Sequence, residues 1–360
     1  MLPKKIQSAS SEYEALVVDD DPSQRLLQKE TLSSMGLSVH EANSGIDAIG
    51  LVKKNNYDVV LMDRNMPDMN GNEACKYIRH DLGKNLLPII VVTGERDDDV
   101  LAESMLSGAT DFICKPYSLA EYGARVMSAV RTKRMTDQLD SAEALMFALA
   151  RMVEAKDSNT GEHCSRLQYL AEVFGAKLGL TDKEILALRR GGVLHDIGKL
   201  GIPDAILLKQ GPLTENEWIV MRTHPQIGSS LCGSLSSMRS TIPIILHHHE
   251  NWDGSGYPYG LKGEEIPYLA RVFQVLDIYD ALSNARPYKK AFSREQVVEI
   301  MKDESTQGKR DPELINAFVE IIENAPETLV LPANFHEDFG MHVYNEIIEI
   351  GMRPIKRTAA

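Results

Sequence analysis

His195 and Asp196 stand side by side in the run Gly192-Val193-Leu194-His195-Asp196-Ile197-Gly198-Lys199. Residues that could share their chemistry lie at wide intervals: His163 before them, then His224, the triplet His247-His248-His249, and Asp277. Six of the ten histidines fall between residues 163 and 249. The density matters because neutral imidazole and carboxylate are the ligands that divalent transition metals take. Neighbouring side chains on a helix diverge by about 100°. Using both His195 and Asp196 therefore needs donors on two sides of one turn. A bridging Asp196 meets that need, with the histidines shared out between two cations. Such a pair beside fixed positive charge suits hydrolysis of a phosphate ester. His247 is set aside, because three consecutive side chains cannot all face one site on a helix. His40, His80, His336 and His342 stand apart from the group, and Cys164 would point away from His163.

A second set of reactive residues lies near the N-terminus. Asp19, Asp20, Asp63, Thr93 and Lys115 each end a short apolar run: Leu16-Val17-Val18, Val59-Val60-Leu61-Met62, Ile89-Ile90-Val91-Val92 and Phe112-Ile113-Cys114. Clustered carboxylates suit a hard oxygen-seeking cation such as Mg²⁺. A lysine and a hydroxyl beside them suit a phosphoryl group.

The elements that must position these residues follow from periodicity. Residues 15–19, 38–42, 57–63, 88–93 and 111–114 read as five strands, with helices between them. That alternation predicts a doubly wound parallel sheet covered on both faces, with its site at the carboxyl ends of the strands. Ser118 and Glu121 form a capping box, and no proline or glycine interrupts residues 124–155. A stiff helical joint is expected there. Leu139, Leu145, Leu149 and Met152 make an apolar stripe on it, expected to pack on its own second domain first and on another copy otherwise. From about residue 146 the pattern is helical throughout. Thr181-x-x-Glu184 and Thr214-x-x-Glu217 are further capping boxes, and no convincing strand follows Lys156.

Bulk properties set bounds. A length of 360 residues suits two domains. The net charge of −13 argues against broad nucleic-acid binding, and the short Arg131-Thr132-Lys133-Arg134 cluster has no helix-turn-helix pattern around it. No apolar run approaches a membrane span, and residues 1–11 lack the apolar core of a secretory signal. Four scattered cysteines (Cys75, Cys114, Cys164, Cys232) read as reduced thiols of a cytoplasmic protein.

Residues 12–132 resemble the receiver domain of bacterial two-component response regulators, of flavodoxin-like fold. The match lies in Val18-Asp19-Asp20, the run from Asp63 to Gly71, Thr93-Gly94 and Lys115-Pro116. The resemblance implies phosphorylation of Asp63 by a sensor histidine kinase. It implies Mg²⁺ held by Asp19, Asp20, Asp63 and the Asn65 carbonyl, with Thr93 and Lys115 on the phosphoryl oxygens and Phe112 as the switch aromatic.

Residues 151–325, reached through a helical linker over 133–150, resemble the HD-GYP family of cyclic di-GMP phosphodiesterases, an all-α branch of the HD superfamily. The motifs fall in order: Thr160-Gly161-Glu162-His163-x-x-Arg166, His195-Asp196-Ile197-Gly198-Lys199, Thr223-His224-Pro225-x-x-Gly228, His248-His249-Glu250, Asp253-Gly254-Ser255-Gly256-Tyr257-Pro258, Asp277-x-x-Asp280-Ala281-Leu282 and Arg286-Pro287-Tyr288-Lys289. By resemblance, His163, His195, Asp196 and Asp277 hold one metal, while His224, His248 and His249 build the second. Fe or Mn leads the implied metals, with Ni or Zn as alternatives. Asp196 and Lys199 are the implied catalytic residues, Lys199 facing the scissile phosphate. Arg286, Lys289 and Tyr257 are the implied substrate contacts. Some members carry a glutamate four residues before the first ligand histidine that helps hold a third metal. Asn159 stands there in this chain, so two metals are expected, and the linear dinucleotide pGpG becomes either a co-substrate beside cyclic di-GMP or the preferred substrate. A low-turnover cyclic di-GMP binding module is the alternative from another class. No DNA contact and no membrane segment are expected, a homodimer is admitted, and the tail over 326–360 carries no motif.

Overall fold

The computed structural model describes residues 13–156, 162–285 and 290–333, together with Phe335 and Phe339. The chain divides into two compact units at Asp140 and Ser141.

The first unit alternates strand and helix: β1 (Tyr13–Val18), α1 (Pro22–Ser34), β2 (Leu37–Ala42), α2 (Gly45–Lys54), β3 (Val59–Asp63), α3 (Gly71–His80), β4 (Ile89–Thr93), α4 (Asp98–Leu106) and β5 (Asp111–Cys114). All neighbouring strands are parallel, in the order β2-β1-β3-β4-β5. Val59 to Asp63 and Ile89 to Thr93 are buried along their whole length, as central strands covered on both faces must be. Register decides where the chemistry falls. Val18 lies opposite Met62, Asp63 opposite Val92, and Thr93 opposite Cys114. Asp19, Asp63, Thr93 and Lys115 therefore leave the sheet along one edge.

α5 (Leu119–Lys156) is a single helix of 38 residues. Ser118 starts it, its hydroxyl accepting the Glu121 N–H at 3.1 Å. Tyr122, Val126 and Val130 are buried against the sheet. Phe147 and Ala150 belong to a core cluster of the second unit. None of residues 131–146 is buried, and Met135, Leu139 and Leu145 are exposed. The expectation of internal packing along the stripe is corrected here: Leu139 and Leu145 face out, and burial begins at Phe147.

The second unit is helical: α6 (Glu162–Lys177), α7 (Asp182–Leu194), α8 (Asp204–Leu207), α9 (Glu215–Met221), α10 (His224–Cys232), α11 (Ile242–His247), α12 (Tyr268–Ser283), α13 (Arg294–Thr306) and α14 (Pro312–Asn324). The expected capping boxes start α7 and α9, with Thr181 and Thr214 receiving the N–H groups of Glu184 and Glu217. Phe174 of α6 and Phe318 of α14 meet edge to face at 4.9 Å among Leu167, Leu188, Phe273 and Ile315. Each such fully buried side chain contributes about 1.5–3 kcal/mol over an exposed one. The cluster ties α6, α7, α11 and α12, whose ends carry the site, to α13 and α14.

Candidate metal centre and phosphoacceptor site

In the first unit, Lys115 reaches Asp63 Oδ1 at 2.6 Å and Asp19 Oδ2 at 3.2 Å. Asp63 Oδ2 accepts the Asn65 backbone N–H at 2.8 Å, and Asp19 Oδ1 accepts that of Asp21 at 3.0 Å. Gln28 also donates to Asp19. Asp20 is exposed at the rim, and the buried Thr93 hydroxyl accepts the Glu95 N–H. Phe112 is half-buried against the sheet core. Burial pushes the Asp63 carboxyl above its usual value despite the Lys115 ammonium. For Lys115, burial pulls down, but Asp63 and Asp19 outweigh it and raise the amine. An oxygen cluster with one ammonium at a strand-end edge is arranged to take a hard cation and a phosphoryl group.

In the second unit two donor groups form. Asp196, His224, His248 and His249 place one ligand atom each within 4.8 Å of one another, and so do His163, His195 and Asp277. α7 ends at Leu194; His195 caps it, and Asp196 opens the tight 3-10 turn Ile197–Gly201. That change of winding lets adjacent residues serve different groups. Asp196 Oδ2 lies 3.3 Å from His195 Nε2, and its Oδ1 lies 3.3 Å from His224 Nε2. Lys199 reaches Oδ2 at 3.0 Å. The turn can sit so close to α10 only because residue 198 is glycine: a Cβ there would fall 1.8 Å from the His224 carbonyl oxygen.

Hydrogen bonds fix the imidazole tautomers. His224 Nδ1–H donates to the Met221 carbonyl at 2.8 Å, and His248 Nδ1–H to that of Ile245 at 2.9 Å. His163 Nδ1–H donates to Asp280 Oδ2 at 2.6 Å, and Arg166 donates to both oxygens of that carboxylate. Each ring thus presents an Nε2 lone pair inward. His224 Nε2 then faces His248 Nε2 at 3.4 Å, and faces Asp196 Oδ1 at 3.3 Å. Lone pair against lone pair is repulsive unless a cation lies between. Asp196 Oδ1 is buried and lacks a hydrogen-bond partner among the described residues. The donor set therefore fits divalent cations.

Electrostatics point the same way. Burial pushes His249 down to about 3, and burial holds His248 well below its usual value. Both are neutral, as ligands must be. Burial opposes charge on His195, but Asp196 and Asp277 lift it to about 9. Burial alone would raise Asp196; Lys199 and His195 overrule it and hold that carboxyl well below the usual range. A proton on His195 supplies positive charge that the two carboxylates demand and that a cation would replace.

A cavity of about 220 Å³ opens on this centre, lined by His163, His195, Asp196, Lys199, His249 and Asp277, with Ala150, Val153 and Glu154 of α5. His247 turns away toward Glu250 and Tyr259. Tyr257 stacks on His249 at 4.7 Å, and the Arg222 guanidinium lies over the Tyr257 ring, 5.5 Å from its centre. Gly254, at φ 84°, and Gly256, where a Cβ would fall 2.2 Å from the Asn251 nitrogen, shape that loop. Arg286 and Lys289, the expected phosphate contacts, and Asn159 lie outside the described residues.

Three contributors carried no assigned role in the sequence. Asp280 orients His163, and its i, i+3 spacing from Asp277 was a usable signal. Glu250, fully buried, accepts the N–H groups of Tyr259 and Leu261 and so pins the Tyr257 loop. Gln274 donates to the carbonyls of His247 and Glu250 and holds the histidine segment in place.

A receiver-like phosphoacceptor sheet and a helical His-Asp metal centre on one chain define a response regulator with an enzymatic output domain. The receiver-domain model matches residues 15–127 and the HD-domain model residues 148–314. A probable cyclic di-GMP phosphodiesterase of Vibrio cholerae is 34% identical, over 86% of this chain and 78% of its own. The cyclic di-GMP phosphodiesterase response regulator RpfG of Xanthomonas campestris is 33% identical, over 77% and 80%. A cyclic di-GMP phosphodiesterase of Thermotoga maritima is 32% identical, over 85% and 89%. This chain belongs to that family of receiver–HD phosphodiesterase response regulators. Among the described residues no helix is long and apolar enough to cross a membrane.

Proposed function

We propose that this chain hydrolyses cyclic di-GMP to pGpG, and in part onward to GMP, under control of phosphorylation at Asp63. The observation that carries the reading is the position of Asp196, one oxygen 3.3 Å from His195 and the other 3.3 Å from His224. His163, His195, Asp196 and Asp277 would hold one divalent cation, and His224, His248 and His249 with Asp196 would hold a second. Fe or Mn is favoured for this nitrogen-rich set, with Ni or Zn able to enter. Bound there, divalent cations supply Lewis acidity toward the phosphodiester.

The chain's own residues do the rest. Lys199 extends positive charge from the Asp196 edge toward the scissile phosphate and stabilises charge as it develops. Asp280 keeps His163 aimed inward. Tyr257, stacked on His249, covers the centre and contacts substrate. Arg286 and Lys289 grip the remaining phosphates. In the receiver, Asp19, Asp20, Asp63 and the Asn65 carbonyl would hold Mg²⁺, and a histidine kinase would be the phosphate source. Thr93 and Lys115 pair with the phosphoryl oxygens, and Phe112 responds by repacking. The exposed Met135, Leu139 and Leu145 offer α5 a seam for a second copy. Four cysteines with no disulfide among the described residues fit residence in the cytoplasm.

Turnover of cyclic di-GMP by protein purified without oxygen, with metal content measured, tests the reading. A chain loaded with metal yet inert on cyclic di-GMP would refute it. Two relatives direct the choice of competitors. Proteins of Vibrio cholerae named as 3'3'-cGAMP-specific phosphodiesterases are 35% and 34% identical over about half of this chain. Asn159 in place of a carboxylate supports pGpG as an added substrate. Parallel assays with pGpG and 3'3'-cGAMP rank the three. A binding module without turnover would keep its signalling output in Asp196→Ala; the hydrolase loses it.

A further inference from the structure

The last turns of α5 close one wall of the metal cavity with Ala150, Val153 and Glu154. Two of these are apolar and one is an acid. Glu154 Oε2 accepts the Cys164 thiol hydrogen at 2.5 Å. Its Oε1 is buried and has no hydrogen-bond partner among the described residues. Arg166 lies near enough to feel the Glu154 charge, yet its guanidinium is committed to Asp280 through Nε and Nη2. A carboxylate oxygen withdrawn from water and left unpaired is costly. No hydrogen bond among the described residues recovers that cost, and the cavity Glu154 lines is the one that holds His163, His195 and Asp277.

We propose that Glu154 is an outer carboxylate that supports, through one bridging water, the cation held by His163, His195 and Asp277. The inference rests on reading that cluster as a metal site and adds an outer partner to it: Glu154 lines the same cavity but stands outside the group of three close donors. Its chemistry is consistent with the local charge. His163 and His195 bring neutral nitrogens, Asp277 one carboxylate and Asp196 a shared one, so another anionic oxygen nearby balances a divalent ion further and orients its water. Cys164 then has a defined job: its thiol hydrogen holds Oε2 and leaves Oε1 as the oxygen without a partner. This carboxylate also comes from a helix whose first turns are buried in the receiver, through Tyr122, Val126 and Val130.

The test uses the full chain, Glu154→Gln and Glu154→Asp, each titrated with Mn²⁺ against a chelating indicator, with bound metal counted. Wild type is expected to take up two ions. Glu154→Gln should keep one of wild-type affinity and bind the other roughly 10- to 100-fold more weakly, while Glu154→Asp recovers part of the loss. Melting curves give a second readout. In chelator, Glu154→Gln should melt no lower than wild type, because it removes an unpaired charge. With saturating Mn²⁺, wild type should gain more than the variant. Two ions of unchanged affinity in Glu154→Gln, or an equal drop in melting temperature with and without metal, overturns the proposal and leaves Glu154 as a packing partner of Cys164. A wild-type chain that binds no ion overturns the metal-site reading, and this outer partner with it.

Discussion

The two reactive centres of this chain use aspartate and lysine in opposite settings. In the receiver, Lys115 lies between Asp63 and Asp19 at a strand-end edge, and every other donor is oxygen. In the helical domain, Lys199 touches Asp196 from outside while imidazoles crowd it from within. Strand ends in a parallel sheet arrive side by side, so short acids suffice to meet there. Helix ends converge from several directions, and the longer imidazole reaches across while its second nitrogen ties back to a carbonyl three residues earlier. Architecture thus selects donor chemistry: oxygens at the strand ends, imidazoles with carboxylates at the helix ends.

The largest expected effect separates the two centres outright. Asp196→Ala should lower phosphodiesterase turnover by roughly a thousandfold or more, while phosphate uptake by the receiver from a small acyl-phosphate donor is unchanged. Parallel loss of both would break the distinction. Metal removal comes next. After chelation, Mg²⁺ alone should restore receiver phosphorylation but not hydrolysis, whereas Mn²⁺ or Fe²⁺ should restore hydrolysis. Recovery of both by Mg²⁺ alone would show that the imidazole set makes no selection. Asp280→Asn, which keeps the shape but weakens the hold on His163, should reduce metal affinity about 10- to 100-fold, read by indicator competition. The smallest effects test whether the units stand alone energetically. Thr181→Ala and Asn70→Ala each remove a capping box and should cost about 1 kcal/mol, Thr181→Ala in the helical unit and Asn70→Ala in the receiver, followed by denaturation with probes in each.

The strands were legible because buried parallel strands are continuous apolar runs, and Asp19, Asp63, Thr93 and Lys115 punctuate them. The residues that gather into the two donor groups were legible because histidine is scarce and theirs is concentrated. Asp280 and Glu250 were printed inside recognisable motifs, yet their partners are decided by packing: Asp280 needs α6 beside α12, and Glu250 needs the loop at Tyr259 and Leu261 to fold back. Glu154 was invisible for the same reason, since nothing local marks one acid of α5 as the one that meets a cavity. The stripe at Leu139 and Leu145 misled because periodicity reports an apolar face without reporting what covers it.

Gly198 has a bearing on descent. Any side chain there would collide with the His224 carbonyl and prise the turn of Asp196 from α10. A single codon change could therefore silence the hydrolase in a lineage while every metal-binding letter stayed in the gene. Such a descendant would still take phosphate on its receiver and could survive as a signalling adaptor. Sorting active paralogues from retired ones should begin at this small residue as much as at the histidines.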